Sequence, residues 1–415
     1  MRIKRIVALV LSAVLMCFSL VSCEEAIGDY LKNYTYKEEV VNNVYYDFYI
    51  VVGENTDDMA KTTVNDKLNQ IFADTYHTKI NIKYLSEADY EVALQADLAS
   101  TAAPAVPAGY YYGGKIVLIK DYSMMTYLAD KLAPLDSYLA TNAFGKLNTQ
   151  ITSTLLSAAE YMVADGEGEI SKGTLAIPNN RKFGTYEYVV INRAVAEEQL
   201  AFSGQTELLN ITSSDDILTF ISEAQARLTQ LNIAGNISTL EDTNGNLHVY
   251  MPDGTTELLY TVTGPYELKE NIEASNDWLI CNVAEYPIAT VEEAYASAFG
   301  VIPTPNLTEN VTVKVDGQDV IQTKTVIDYV ERAMEIIYAI NTDVTVRNTL
   351  QYGVENTNFL LHDGFVTPIT NAGSNYNMKL EYTGDVLKAY YLDGVWTPDM
   401  AANTKSHNGE SVLPD

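Results

Sequence analysis

Segments that alternate between strand and helix patterns are the feature that most constrains how this chain folds. Apolar runs of strand length lie at residues 45–52 (YYDFYIVV), 79–85 (KINIKYL) and 114–120 (GKIVLIK). Helical patterns separate these runs at residues 57–76 and 87–100. The order β-α-β-α-β predicts an α/β domain with a largely parallel sheet.

The pattern restarts from about residue 188 and predicts a second domain. Residues 213–231 have a helical face with Ser214 as its N-cap. Residues 241–262 carry Asn-Gly and Asp-Gly between β-like runs, which is typical of hairpins. Residues 325–350 form the longest helical pattern. A chain of 415 residues that is 47% hydrophobic is long enough for two domains.

The first 23 residues have the pattern of an export signal. A basic stretch (MRIKR) precedes an apolar run at residues 6–20, which is shorter than the roughly 20 residues that a membrane span needs. The run ends in LVSC at residues 20–23, which resembles the lipobox of bacterial lipoproteins. The resemblance implies removal of residues 1–22, a lipid on Cys23 and a polar tether over residues 23–43. The alternative is an ordinary signal with a chance cysteine.

The lipobox resemblance implies a protein held on the outer face of the cell membrane, or on the periplasmic side where a cell has two membranes, and the charge fits export. The net charge of -29 repels nucleic acid, so nucleic-acid binding is excluded. Cys17 leaves with the signal and Cys23 would carry lipid, so Cys281 has no internal disulfide partner. The 30 tyrosines suit binding of sugars or aromatic ligands, or they reflect only the base composition of the genome.

Several stretches of the chain together carry a family resemblance. They are QYGVE at 351–355 with Phe359 and Asp363-Gly364, LAIPNNR at 175–181, YEY at 186–188, AFGVIP at 298–303 and the closing residues 383–415. These stretches resemble the extracellular solute-binding family 1 group, which are substrate-binding lipoproteins of carbohydrate ABC importers, and the resemblance covers most of residues 45–415, loosely. One departure is residues 100–115 (STAAPAVPAGYYYGGK), where the family usually has a glycine and an acidic residue, so the ligand need not be an ordinary maltodextrin-like sugar.

The resemblance implies an α/β, two-lobe, periplasmic-binding-protein-like (type II) fold in which each lobe is a mixed sheet flanked by helices. Lobe 1 would comprise residues 44–186 and 298–349, and lobe 2 residues 187–297 and 350–415. An oligosaccharide or related small solute would bind between the lobes, which close about a hinge. The protein would act as a monomer without a cofactor and deliver its solute to the transmembrane subunits of an ABC permease.

A sugar site needs flat aromatic faces and planar polar groups. Asp121 and Tyr122 follow the third strand, at the edge where open α/β sheets bind ligands. Arg181, Tyr186 and Glu187 would lie where the chain first crosses between lobes. The other candidates are Tyr110 and Tyr111 in a loop flanked by Gly and Pro, Trp278 as a stacking platform, and Tyr352 and Glu355 from the family resemblance.

Each of these candidates has a structural alternative. The tyrosines of the loop would then cover the lobe surface, Trp278 would be a core residue, and Glu355 would brace the turn after its helix.

The sequence predicts no enzyme. The four histidines are scattered, and there is no H-E-x-x-H, C-x-x-C, G-x-S-x-G or phosphate-loop motif. Asp242-x-Asn244-x-Asn246 lacks the glycine of a calcium loop because Leu247 occupies that position, so we interpret it as a hairpin turn and predict no metal site. The alternatives from other classes are a surface-anchored glycan-active hydrolase and a ligand-sensing lipoprotein.

Overall fold

The computed structural model describes residues 42–164, 170–197, 211, 214–242, 246–264, 268–283, 286–315 and 318–413. The predicted export signal, Cys23 and all but the last two residues of the predicted tether lie outside these ranges.

The described residues contain both strands and helices. The strands are β1 (Asn43–Val51), β2 (Thr78–Leu85), β3 (Tyr110–Ile119), β4 (Glu160–Ala164), β5 (Ile170–Thr174), β6 (Ala176–Pro178), β7 (Tyr186–Asn192), β8 (Ser238–Glu241), β9 (Leu247–Tyr250), β10 (Glu257–Gly264), β11 (Trp278–Val283), β12 (Ala298–Pro303), β13 (Leu307–Val315), β14 (Gln318–Ile327), β15 (Phe359–His362) and β16 (Phe365–Pro368). The helices are α1 (Asp58–Tyr76), α2 (Tyr90–Ala99), α3 (Tyr122–Leu128), α4 (Asp136–Leu139), α5 (Leu147–Gln150), α6 (Ser153–Ala158), α7 (Ser214–Gln230), α8 (Leu268–Glu273), α9 (Val291–Ala294), α10 (Tyr329–Thr342), α11 (Val344–Tyr352) and α12 (Pro398–Glu410).

The first sheet has the strand order β2-β1-β3-β12-β6. β1 pairs in parallel with both β2 and β3, and β12 is antiparallel to β3 and β6. The predicted α/β architecture is confirmed here: a mostly parallel sheet is flanked by helices, and a strand from much later in the chain is inserted beside β3. The carboxyl ends of β1, β2, β3 and β6 therefore meet at one edge.

Apolar residues at helical spacing place α1 against the first sheet. Ala60, Val64, Leu68 and Phe72 are buried on one side of this helix and share a core with the sheet residue Phe48. The helix ends at His77, which has a left-handed conformation (φ 49°) and donates its backbone N–H to the Phe72 carbonyl.

The long helical pattern of residues 325–350 is divided in two. Asp343 separates α10 from α11, and its carboxylate accepts hydrogen bonds from the backbone N–H groups of Thr345 (2.7 Å) and Val346 (3.0 Å). An aspartate that caps a new helix ends the preceding one. The sequence pattern did not indicate this break, because apolar residues continue on both sides of Asp343.

The second sheet has the order β11-β7-β10-β9-β8, and its described pairs are antiparallel, where a mixed sheet was expected. The two hairpins, β8-β9 and β9-β10, account for two of these pairs because a hairpin joins antiparallel strands, whereas β7 pairs with β10 and β11 through longer connections. At the predicted Asp-Gly turn, Asp253 accepts the N–H groups of Thr255 and Thr256, and Gly254 has a positive φ of 69°. α7 covers one face of this sheet, and α8 packs on the other.

The sequence analysis did not predict the hairpin of β13 and β14. These strands pair with each other over nine residue pairs, and the side chains described for residues 308–312 and 320–326 are largely exposed. Among the described residues, no helix is long and apolar enough to span a bilayer.

The closing residues of the chain pack into the core of the first sheet and into an apolar cluster of their own. Tyr376 and Met378 are buried in the core of the first sheet, although the sequence analysis assigned them to lobe 2. Further on, Trp396 and Val386 share a small apolar cluster. The lobe boundaries as drawn from the sequence stay a prediction.

Candidate functional site

Three chain segments lie side by side between the two sheets. Thr185, after β6, forms an antiparallel bridge with Ile288, and Ile288 forms a parallel bridge with Val412. The Ile288 N–H donates to the Thr185 carbonyl (2.8 Å), and the Val412 N–H donates to the Pro287 carbonyl (2.9 Å). We call these segments, residues 179–185, 286–297 and 411–413, the junction.

Glu293 and Arg181 fix the first two segments of the junction to each other. Arg181 Nη2 donates to the Glu293 carbonyl (2.5 Å), and the Gly184 N–H donates to Glu293 Oε1 (3.0 Å). Glu293 also completes a capping box with Thr290 at the start of α9. The guanidinium of Arg181 is therefore held at the junction, where the sequence placed it.

α12 holds the first segment from the other side. Asn408 Nδ2 donates to the Arg181 carbonyl (2.7 Å), and Asn408 Oδ1 accepts the Phe183 N–H (3.3 Å). His407 Nε2 lies 3.0 Å from the Gly184 carbonyl, and the His407 ring meets the ring of Tyr186 edge-on at 5.9 Å. Tyr186 is accordingly buried, whereas its neighbour Glu187 is exposed.

Two adjacent asparagines anchor the closing residues beside the junction. Asn179 Nδ2 donates to Ser297 Oγ (2.9 Å) and to the Glu381 carbonyl (3.2 Å). Asn180 Nδ2 donates to Asp385 Oδ1 (3.0 Å). Burial raises the pKa of Asp385 to about 6. The only sequence signal of these asparagines is the Asn-Asn pair directly after β6.

A charged cluster lies at the carboxyl edge of the first sheet. Glu87 accepts from Lys120 (2.9 Å), which follows β3, and from Lys379 (2.7 Å), whose Nζ lies 5.0 Å from the ring centroid of Tyr382. Burial opposes ionisation of Glu87, but the hydrogen bonds from the two lysines outweigh it and lower its pKa. These residues were not foreseen as a group, because Lys379 is distant in sequence.

Asp121 and Tyr122 lie at this same edge. Asp121 caps α3 by accepting the Met124 N–H (2.7 Å), and Tyr122 is partly buried against the first core. α3 packs against α9, the helix that carries Glu293. This contact places α3, which follows Asp121, against the helix whose Glu293 bonds to Arg181 and Gly184.

Tyr110 and Tyr111 lie at the opposite edge of the first sheet. They begin β3, and Asp121 follows its end, so the strand separates them by about 30 Å at the usual rise per residue. The sequence analysis placed these tyrosines in a loop and grouped them with Asp121, and the structure separates them.

Trp278 is also distant from the junction. It pairs with Asn192 at the far end of β7, about 20 Å from Tyr186 at the usual rise per residue. Its ring packs edge-on against Tyr260 at 4.9 Å, within the apolar cluster under α8.

Tyr352 and Glu355 lie at the end of α11. Tyr352 is buried and donates its hydroxyl to the Tyr390 carbonyl (2.8 Å), and burial raises its pKa. Glu355 is exposed beside Phe359. Beneath this region Arg347 is completely buried, and burial lowers its pKa to about 10. The described residues include no group of three or more His, Cys, Asp or Glu side chains placed to hold a metal ion.

No protein-family model matches this chain. No curated protein matches it either. Among solved structures, it is similar to the N-glycan transport solute binding protein NgtS of Streptococcus pneumoniae, with 14% sequence identity, a TM-score of 0.47, and coverage of 89% of this chain and 84% of that chain. It is also similar to the ABC substrate-binding protein Lmo0181 of Listeria monocytogenes in complex with cycloalternan, with 11% identity, a TM-score of 0.30, and coverage of 90% and 89%.

Proposed function

We propose that this protein is a lipid-anchored solute-binding protein that captures an oligosaccharide, or a related small solute, beside the junction and delivers it to an ABC permease. The observation that carries the proposal is the junction itself. Three extended segments connect a sheet whose parallel strands end there to a second sheet with its own core. Short segments of this kind absorb the backbone rotations of hinge closure, and the carboxyl edge of parallel strands is where open α/β sheets bind ligands.

The side chains around the junction suit a polyol. Asp121, Glu187 and the Glu87–Lys379 pair offer planar or charged hydrogen-bonding groups, and Tyr122 and Tyr382 offer aromatic surface. Arg181 acts mainly by holding the junction, since its guanidinium already donates to two backbone carbonyls. No chemical step is required of any of these groups.

The test is titration calorimetry of the mature protein against a panel of neutral oligosaccharides, with the incubated sugars analysed for cleavage. We expect binding without product, and a smaller radius of gyration by solution scattering when ligand is present. Tyr122→Ala should weaken binding about tenfold, because a stacking contact contributes about 1 kcal/mol or more. Tyr111→Ala is the matched control, since it removes a tyrosine at the opposite edge.

Two outcomes would contradict the proposal. Product formation would favour the hydrolase alternative, and equal effects of Tyr122→Ala and Tyr111→Ala would move the ligand away from the junction. If the protein serves in transport and not in sensing, we expect genes for two permease subunits next to the gene of this protein.

A further inference from the structure

One face of the first sheet is polar and aromatic where the three parallel strands lie together. A parallel sheet is normally apolar on both faces because helices cover both. In the amino half of these strands only the opposite face, with Tyr46 and Ile80, enters the core, whereas Tyr49 in the carboxyl half of the polar face is buried as well. We call the polar side the tyrosine face; it consists of Tyr45, Asp47 and Tyr49 on β1, Lys79, Asn81 and Lys83 on β2, and Tyr110, Tyr112 and Lys115 on β3.

α2 covers only the carboxyl half of the tyrosine face. The buried hydroxyl of Tyr90 donates to the Leu118 carbonyl (2.8 Å) near the end of β3, and Asp97 near the end of α2 accepts from Tyr49 (2.6 Å). The amino half stays partly exposed at Tyr45, Lys79, Asn81, Tyr110 and Tyr112.

A β-bulge builds the tyrosine face. Tyr45 pairs with Tyr112, but the next residue, Tyr46, pairs with Gly114, so that Tyr112 and Lys115 lie on the same face although three positions apart. Glycine is required in the bulge: a Cβ on Gly113 would lie 2.3 Å from the ring of Tyr46. Gly114 has a φ of +120°, which disfavours any side chain.

Hydrogen bonds hold the rings of this face in place. Asp47, only 9% exposed, accepts from the Tyr112 hydroxyl (3.1 Å) and from Asn81 Nδ2 (2.8 Å). Lys79 Nζ lies 5.0 Å from the ring centroid of Tyr110. A ligand that stacks here orders few further side chains, which lowers the entropic cost of binding.

The tyrosine face is locally positive on a strongly acidic protein. Three lysines, Lys79, Lys83 and Lys115, stand against two carboxylates, Asp47 and Asp97, while the whole chain carries -29. Burial opposes ionisation of Asp97, but hydrogen bonds from Tyr49 and Lys115 lower its pKa, so both carboxylates are already engaged. The lysines exceed the carboxylates by one, and the Lys83 side chain stays 41% exposed beside Asp47, so the face favours an anionic partner.

We propose that the tyrosine face binds an acidic oligosaccharide. The CH faces of the sugar rings would stack on Tyr110 and Tyr45, and carboxylates of the ligand would pair with Lys79 and Lys83. The face is a site separate from the junction, because the length of β3 lies between Tyr110 and Asp121.

The test uses a short oligogalacturonate and the mature protein, with a neutral oligosaccharide of equal length for comparison. We expect calorimetry to show oligogalacturonate binding that weakens as NaCl rises, since exposed ion pairs are screened by salt. Tyr110→Ala and Lys79→Gln should each weaken it about tenfold. Tyr111→Ala is the matched control: Tyr111 is 44% exposed and points to the opposite face of the same strand.

Several results would overturn this inference. They are absence of oligogalacturonate binding, binding that does not depend on salt, equal effects of Tyr110→Ala and Tyr111→Ala, and loss of binding in Tyr122→Ala in place of Tyr110→Ala. The last result would assign the acidic ligand to the junction. Circular dichroism and thermal unfolding of each variant separate loss of the site from loss of the fold, and the salt dependence of the unmodified protein needs no variant.

Discussion

At the residue scale, position along a strand decided which sequence candidates can share a site. Asp121 and Tyr122 follow β3, and Tyr110 and Tyr111 begin it, so residue type alone grouped side chains that the sheet keeps apart. The residues that fix the junction, Asn179, Glu293 and Asn408, come from distant parts of the chain. Nothing in the local sequence indicates such long-range hydrogen bonds, which depend on tertiary packing.

Glu335 on α10 gives a prediction about pH. Burial raises its pKa to about 7 despite Arg332 Nη1 at 3.4 Å, and Oε2 is buried without a hydrogen bond among the described residues. The folded pKa exceeds the ordinary glutamate pKa of 4.5, so the folded state binds more protons between those two pKa values, and stability falls as pH rises through that window.

The Glu335→Gln substitution should remove this loss of stability with rising pH. We expect the variant to exceed the unmodified protein in free energy of unfolding by about 1–3 kcal/mol at pH 8, and by less at pH 5. Urea denaturation at both pH values measures the difference. Asp66→Asn, at an exposed position on α1, is the control; a pH-independent difference for Glu335→Gln would contradict the argument.

At the scale of elements, hydrophobic periodicity predicted most strands and helices of both sheets. β1, β2, α1, α2 and α7 begin and end within three residues of the sequence patterns. β3 begins four residues earlier than its pattern because the bulge at Gly113 and Gly114 interrupts the apolar run. The hairpin of β13 and β14 was missed although the sequence carries a hairpin signal, since Val311, Val313 and Val315 alternate with polar residues before an Asp-Gly pair.

The end of α1 carries a second prediction. His77 is exposed and has the left-handed conformation that costs a non-glycine residue about 1 kcal/mol. We expect His77→Gly to raise the free energy of unfolding by about 0.5–1 kcal/mol. Asp74→Gly, at an exposed position inside the same helix, should lower it by about 1 kcal/mol. Urea titrations of both variants test this, and a loss of stability in His77→Gly would refute it.

At the scale of the whole molecule, two cores and a junction agree with the two-part architecture that the sequence predicted. The antiparallel pairing of the second sheet was not predicted. Hairpin turns indicate that two consecutive strands pair, but they do not indicate in which direction β7 runs beside β10 and β11, which come later in the chain. The packing of Tyr376 and Met378 into the first core was also hidden, since residues near the end of a chain carry no local sign of the core they join.

Membrane attachment is the prediction that belongs to this scale. If Cys23 carries the lipid that we propose, Cys23→Ser should move the protein from the membrane fraction to the soluble fraction and abolish palmitate labelling. Cys17→Ser, within the predicted signal, is the control and should leave both unchanged. Retention of Cys23→Ser in washed membranes would refute the anchor.

The junction also sets an order on biosynthesis. Its third segment includes Val412, which lies more than two hundred positions after Thr185 in the first. A chain that leaves a translocation channel N-terminus first gains the strands β1, β2 and β3 early, yet this bridge stays open until residue 412 has emerged. In a chain exported as we propose, the three segments are complete only after residue 412 has crossed the membrane, so a solute that needs all three is not held before then.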